Sequence, residues 1–176
     1  MIYVSEDIVL VPLSEDSIED VFLTIDQNRE SLRVWLPFVD ATKSIEDTIR
    51  FVQSVLISQE KVFEIRLKNK FVGLIGLKEL DDTNKKVEIG YWMNPVVEGR
   101  GIMTLSVQKM LDYSFNILQL NRVLIQVAID NKKSRRIPER LGFKEEGLER
   151  DGELLVSGYT DIVRYGLLKR EYNGNY

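Results

Sequence analysis

The feature that most restricts the fold is a change in the spacing of apolar residues on either side of a short glycine loop. Before this loop, apolar residues recur at every second position in three segments, 62–67, 71–80 and 86–93. Short polar turns at 68–70 and 81–84 separate the segments. A period of two residues interrupted by turns predicts three consecutive antiparallel strands.

After Gly101 the apolar spacing becomes helical and continues on one face as far as about Leu118. The next apolar segment, 122–128, is apolar on both faces, which is typical of a buried strand. A strand, a helix and a buried strand form a βαβ unit, so the segments 86–93 and 122–128 are predicted to be parallel neighbours.

The other segments complete one domain over residues 1–176. The sequence predicts a strand at 2–11, helices at 14–28, from Ser44 onward and at 131–140, and closing strands near 147–156 and 160–168. The expected fold class is α/β (α+β), with a mixed, mostly antiparallel sheet and helices on both faces.

Composition excludes several kinds of chemistry. The chain has no cysteine and no histidine, which removes thiolate catalysis, disulfides and the commonest metal ligands. We therefore expect no metal site. A net charge of −4 gives no indication of direct nucleic-acid binding. No apolar run has the length of a membrane helix, and the first residues, MIYVSEDIVLVPL, are typical of a strand, so a cytoplasmic protein is expected.

The loop itself, Asn94 to Thr104, lies between a predicted strand and a predicted helix. Helix N-termini present unpaired N–H groups and partial positive charge, and Gly99 and Gly101 allow a ligand to approach the backbone closely. Arg100 adds a cationic donor. The loop predicts a phosphate or diphosphate cradle; the alternative is a structural turn without a ligand. Neither the Walker A spacing nor the GxGxxG dinucleotide pattern is present.

Three successive segments carry a family resemblance: EIGYWMNPVVEGRGIMT, NRVLIQVAIDN and KKSRRIPERLGFKEEG. With these segments, with Asn28 to Pro37 and with Tyr159 to Tyr165, the chain resembles GNAT-type acetyltransferases over nearly its whole length. The likeness is to the branch of ribosomal-protein alanine N-acetyltransferases that includes RimJ and RimL. The resemblance implies a single GNAT domain whose central parallel strands splay apart, and acetyl-CoA as co-substrate.

The resemblance also implies which residues bind the co-substrate. Backbone N–H groups of the loop would hold the pyrophosphate, and main-chain groups at the end of the preceding strand would hold the pantetheine arm. Asn131 would bind the pantetheine, or else cap a helix. Glu98 departs from the family pattern by placing a negative charge near the phosphates. The predicted co-substrate residues are Trp92, Met93, Asn94, Gly99, Arg100, Gly101, Ile102, Met103, Thr104, Asn131 and Ser134.

Catalytic and acceptor residues are predicted from the same resemblance. The tyrosine acid usual in the family is replaced by Pro138, which leaves Ser134 or water to assist the departing thiolate. Glu88 is the first candidate for a base; its alternative is a cross-strand ion pair with a lysine. Asp161 and Tyr165 are the second candidates for the base. The predicted acceptor residues are Arg33, Trp35, Phe38, Asp161 and Tyr165.

The acceptor is predicted from proton energetics. An α-amine has a pKa of about 7.7–8.0 and lysine about 10.4, so deprotonating lysine costs roughly 3.5 kcal/mol more. A chain without histidine therefore suits the N-terminal α-amine of a protein, in this branch a ribosomal protein. A small-molecule amine, such as an antibiotic, polyamine or aminoacyl nucleotide, is the alternative, followed by a non-catalytic acyl-CoA-binding protein. An exposed late strand also raises the hypothesis of a homodimer.

Overall fold

Eight strands and six helices make up the computed structural model, which describes residues 1–58 and 60–173. The strands are β1 (Ile2–Tyr3), β2 (Ile8–Pro12), β3 (Lys61–Leu67), β4 (Lys70–Asp81), β5 (Lys86–Met93), β6 (Arg122–Ala128), β7 (Lys144–Leu155) and β8 (Gly158–Leu168). The helices are α1 (Ile18–Gln27), α2 (Arg29–Leu32), α3 (Phe38–Ala41), α4 (Ile45–Ile57), α5 (Ile102–Asp112) and α6 (Lys132–Arg140).

All eight strands belong to one sheet, in the order β1-β2-β3-β4-β5-β6-β8-β7. Within the described residues β5 and β6 are the one parallel pair. Their pairing covers Lys86 to Glu88 on β5 and Arg122 to Leu124 on β6, although both strands continue beyond it. The two strands therefore separate after Glu88 and Leu124. The predicted α/β fold with a splayed central parallel pair is confirmed.

Each face of the sheet is covered by its own apolar core. On one face α5 buries Met103, Val107, Met110 and Leu111 against β4, β5 and β6. On the other face α1 and α4 bury Val21, Ile25, Val52 and Val55 against β4. Burial of this kind contributes roughly 25 cal/mol per Å² of apolar surface, so both helical layers stabilise the sheet. The prediction of helices on both faces is confirmed.

Two local features fix elements that border the site. Asp47 accepts hydrogen bonds from the backbone of Lys43 at 2.8 Å and Ser44 at 2.9 Å, so the predicted capping box starts α4. These bonds lower the pKa of Asp47.

Between β4 and β5, a Cβ at Gly73 would clash with the main-chain oxygen of Trp92, so the close approach of these strands requires glycine.

Some boundaries differ from those predicted. The strand expected at 2–11 is split, because the backbone N–H groups of Val4 and Ser5 both donate to Ile8 O in a turn. The helix expected to reach Leu118 ends its α-helical part at Asp112, and a π-helical turn follows over residues 113–117. The last three residues of the predicted 1–176 domain lie outside the described residues. None of the described helices is long and apolar enough to cross a membrane.

Candidate active site

A cavity of about 470 Å³ opens at the point where β5 and β6 separate. Aromatic side chains from the segment before α3 and from β5 form much of its wall, and polar groups come from β4, β5, β6, α6 and β7. The residues that matter most for the chemistry are Trp35, Phe38, Lys78, Glu88, Tyr91, Trp92, Gln126, Asn131, Ser134 and Glu153. An apolar cavity with a few convergent polar groups is the usual form of a small-molecule site.

The gap between the strands exposes main-chain groups of β5. The N–H of Asn94 donates to Val72 O at 2.8 Å, and Trp92 lies opposite Leu74 on β4. Main-chain groups alternate in direction along a strand. The N–H of Asn94 and the main-chain groups of Trp92 therefore face β4, and the carbonyl oxygen of Asn94 accepts from Val97 N–H, which corrects their predicted role in holding a pantetheine arm. The main-chain groups that face the gap are those of Met93, as predicted, and of Tyr91, which the sequence reasoning missed.

The glycine loop forms the N-terminus of α5. Gly99 has a φ of 78° and Gly101 a φ of 76°, a left-handed conformation that favours glycine. The first intrahelical bond runs from Leu105 N–H to Gly101 O at 3.0 Å, so the preceding N–H groups point out of the helix end. Ile102 and Met103 are buried, so these two residues can bind a ligand through their main chain only. The geometry suits a diphosphate.

Glu98, the residue expected to oppose phosphate binding, is neutralised by a neighbouring helix. Its carboxylate forms an ion pair with Lys133 Nζ at 2.7 Å. Lys133 comes from the first turn of α6, which packs beside α5. The negative charge therefore has a cationic partner next to the loop, and the main-chain cradle does not have to compensate for it.

Ser134 and Asn131 begin α6 at the edge of the cavity. Asn131 Oδ1 accepts a hydrogen bond from Ser134 N–H at 3.2 Å, so the alternative role of Asn131, as a helix cap, is the one observed. The Ser134 hydroxyl donates to the Tyr91 hydroxyl at 3.2 Å, and Tyr91 in turn donates to Ser134 O at 3.2 Å. Burial raises the pKa of Tyr91 well above its usual value, so this phenol keeps its proton. Pro138 is buried within α6.

Glu88 lines the cavity, but its carboxylate is already engaged. Lys78 Nζ lies 2.8 Å from one oxygen, and Gln126 Nε2 donates to the other at 2.6 Å. Lys78 is directly opposite Glu88 on β4, which is the cross-strand ion pair weighed as the alternative. Glu88 is 3% exposed, and a buried carboxylate with two donors is a structural group. The ion pair given as the alternative is therefore the role observed, and a role as the base stays a prediction.

Glu153 is the acidic residue that the sequence reasoning missed. It lies on β7 and faces the same cavity as Lys78 and Glu88. Burial raises the pKa of Glu153; the positive charge of Lys78 opposes this shift and the negative charge of Glu88 adds to it. In the described part of the chain its carboxylate has no hydrogen-bond or ion-pair partner. A partly desolvated carboxyl group in a cavity is a candidate proton acceptor.

The structure brings two of the predicted acceptor residues to the cavity. Trp35 packs against Ala128, Leu155 and Ile162, and Phe38 lies 6.3 Å from Trp92 between ring centroids. Both Trp35 and Phe38 line the cavity wall.

The other three predicted acceptor residues lie elsewhere, which corrects their assignment. Arg33 is paired with Asp40 at the surface, at 2.9 and 3.0 Å. Asp161 accepts a bond from Asp151 N–H, and the buried Tyr165 hydroxyl contacts α6. Side chains alternate between the two faces of the sheet along β8. Because the Ile162 side chain faces the cavity side, the side chains of the odd-numbered residues of β8, which include Asp161 and Tyr165, point to the other face.

Comparison with known proteins agrees with this geometry. Residues 7–144 match the acetyltransferase (GNAT) domain. The chain is 37% identical to the putative ribosomal N-acetyltransferase YdaF of Bacillus subtilis (strain 168), over 97% of this chain and 96% of that protein. It is 30% identical to the ribosomal-protein-serine acetyltransferase of Escherichia coli (strain K12), over 93% and 94%. The solved structure of RimL, a ribosomal L7/L12 alpha-N-protein acetyltransferase in complex with coenzyme A, superposes with a TM-score of 0.91 at 25% identity, covering 99% of both chains.

The phosphate cradle can be tested with two substitutions at one position. Asp and Asn have similar volumes and both tolerate a left-handed backbone, so they differ at Gly101 chiefly in charge. We expect Gly101→Asp to bind coenzyme A about tenfold more weakly than Gly101→Asn, because a negative charge at the helix N-terminus repels the diphosphate. Calorimetric titration measures both affinities. Equal affinities would show that the ligand's phosphates bind elsewhere.

Proposed function

The chain belongs to the GNAT acetyltransferase family and is an acetyl-CoA-dependent N-acetyltransferase, and we propose that its acceptor is the N-terminal α-amine of a ribosomal protein. The observation that carries the proposal is the unpartnered, partly desolvated carboxylate of Glu153 in an aromatic-walled cavity beside the strand gap. The names of the two relatives described above, which match this chain almost end to end, agree with an acceptor of this kind.

In the proposed complex the chain holds acetyl-CoA mainly through its backbone. The N–H groups from Gly99 to Thr104 bind the pyrophosphate, assisted by Arg100. The main-chain groups of Met93 and Tyr91 bind the amides of the pantetheine arm, as an added strand would. The thioester would then lie where the strands separate, next to the cavity that holds the acceptor.

Glu153 would accept the proton of the incoming amine. The α-ammonium has a pKa of about 7.7–8.0, and the raised pKa of Glu153 brings the two groups closer in proton affinity. The neutral amine nitrogen attacks the carbonyl carbon, the carbon–sulfur bond breaks, and a second proton from the nitrogen passes to the departing thiolate, which leaves as the thiol of coenzyme A. Lys78, Glu88 and Gln126 bind one another on the cavity wall, which leaves Glu60 and Glu153 as the other carboxylates of the cavity. Glu60 is exposed, whereas Glu153 is half-buried, so Glu153 is the better placed of the two to accept a proton.

Ser134 would assist the departure of coenzyme A. Its hydroxyl lies at the start of α6 and is held by the phenol of Tyr91. When the sulfur takes up negative charge, this hydroxyl can turn to donate a hydrogen bond to it, while Tyr91 continues to hold the Ser134 backbone through its carbonyl oxygen. Stabilising charge that develops in the transition state is the usual source of such assistance.

The acceptor class can be tested by a direct comparison of amines. We expect peptides with a free N-terminal Ser or Ala to be acetylated at least about 100-fold faster, in kcat/KM, than the same peptides with a blocked N-terminus and one free lysine, because the lysine amine is almost wholly protonated near neutral pH. Mass spectrometry locates the acetyl group. Efficient acetylation of spermidine or an aminoglycoside, with no reaction of the peptides, would replace this proposal by the small-molecule alternative.

The role of Glu153 predicts a distinct kinetic defect. Glu153→Gln should lower kcat/KM by about 100-fold or more at neutral pH, with little change in acetyl-CoA affinity. The wild-type rate should fall as the pH drops through the raised pKa of Glu153, since the carboxyl must be ionised to accept a proton. The defect should shrink at high pH, where the acceptor is already neutral.

Glu149→Gln is the matched control for this experiment, because Glu149 lies on the same strand, exposed. We expect its pH–rate profile to match the wild type. A Glu153→Gln enzyme with wild-type kcat/KM across the pH range would rule out Glu153 as the proton acceptor.

We also propose that two copies associate through the outer edge of β7, the last strand of the described sheet. An edge strand has one row of main-chain groups without a strand neighbour, which can pair with a second chain. Sedimentation equilibrium should give twice the chain mass; a single-chain mass at all concentrations would refute the homodimer.

A ribosomal-protein acceptor also implies that the enzyme acts in the cytoplasm.

A further inference from the structure

An irregularity in β7 decides which residue of that strand faces the cavity. Glu149 pairs with Ile162 and Glu153 pairs with Thr160, so four steps along β7 correspond to two steps along β8. The residues between them, 150–152, form a bulge. Without the bulge, Asp151 would lie opposite Thr160. The two additional residues place Glu153 there, at the cavity.

A single side chain holds the turn of this bulge. Asp151 has a φ of 51°, a left-handed conformation that is uncommon outside glycine, although Asp tolerates it better than most residues. Its N–H donates to the carboxylate of Asp161 on β8 at 2.9 Å. The neighbouring Gly152 is also constrained, because a Cβ there would lie 2.8 Å from Ile162 Cγ1. An uncommon backbone conformation that one neighbouring side chain holds points to a function for the geometry it maintains.

We propose that Asp161 is a positioning residue, whose carboxylate holds the β7 bulge through the N–H of Asp151 and so sets Glu153 in the cavity. The inference rests on the proposed function, in which Glu153 accepts the proton of the amine. It gives Asp161 a role different from the acceptor contact predicted from the sequence. Asp161 acts from behind the strand, through the backbone, and touches no substrate.

The decisive experiment is a double-mutant cycle of Asp161→Ala and Glu153→Gln, measured as kcat/KM with an N-terminal peptide from neutral to high pH. If Asp161 acts through Glu153, each single variant should lose about 100-fold near neutral pH, the loss should shrink at high pH, and the double variant should be no worse than Glu153→Gln. Acetyl-CoA affinity should stay at the wild-type value in all three. The proposal would be overturned if the losses in kcat/KM of the two single variants multiplied in the double variant, or if the loss in Asp161→Ala did not depend on pH.

Two further variants keep the result interpretable if Asp161→Ala folds poorly. Asp161→Asn keeps an oxygen that can accept the Asp151 N–H, so it should retain most of the activity. Asp151→Gly suits the left-handed backbone and should also leave activity close to wild type. A full loss in Asp161→Asn, with unchanged acetyl-CoA binding, would show that the charge of Asp161 matters and not its hydrogen bond, which contradicts the proposal.

A measurement without turnover separates this inference from the proposed function. NMR titration of the Glu153 carboxyl carbon reports its surroundings, which include Lys78 and Glu88 and, in the same cavity, Glu60. In Asp161→Ala the pKa of Glu153 should return to the ordinary carboxyl range, because Glu153 leaves the cavity. An unchanged pKa would refute the positioning role. If the pKa of Glu153 shifts in Asp161→Ala but the Glu153→Gln enzyme is active, the positioning role of Asp161 is upheld and the role of Glu153 as the base is refuted.

Discussion

The separation of β5 from β6 is the constraint on which the rest of the site depends. Main-chain pairing ends at Glu88 and Leu124, and two positions further along β6 the Gln126 side chain donates to the Glu88 carboxylate. A side-chain bond therefore spans the gap where the backbone ladder stops. Unpaired main-chain groups that are shielded from water cost about 1–3 kcal/mol each. A ligand that carries amides can pair with them, so the gap favours a strand-like arm.

The two-residue period of a strand lets β5 serve two ligands at once. Its even positions, Glu88, Gly90 and Trp92, line the cavity, Glu88 and Trp92 with their side chains, while their main chains pair with β4. Its odd positions, Tyr91 and Met93, have their main chains turned to the gap. In the proposed complex one strand thus separates the acceptor, which would contact side chains, from the co-substrate, which would contact the backbone. This arrangement explains why a sequence pattern can identify the co-substrate loop and still leave the acceptor residues unresolved.

The sequence predicted the elements whose evidence is local and missed those set by register. Periodicity located the strands and α5, and the glycine spacing located the loop that begins this helix. The same periodicity cannot show that Lys78 lies opposite Glu88, because that depends on the register of two strands. Nor can it show which residue of β7 reaches the cavity, because a bulge shifts the pairing by two residues and brings Glu153 there. These are pairings between distant segments, and no local pattern encodes them.

The chain has no histidine, so a carboxylate with a raised pKa has to take the place of a group that titrates near neutral pH. Burial supplies this, since it disfavours the charged form, but two adjacent buried carboxylates would repel each other. Lys78 resolves the conflict by pairing with Glu88. The pair is close to neutral as a unit, so the pKa of Glu153 is raised chiefly by its own desolvation, with opposing smaller effects from Lys78 and Glu88. In the proposed mechanism Glu88 acts through Lys78, because an unpaired lysine beside Glu153 would favour the ionised form of Glu153 and lower its affinity for the proton of the amine.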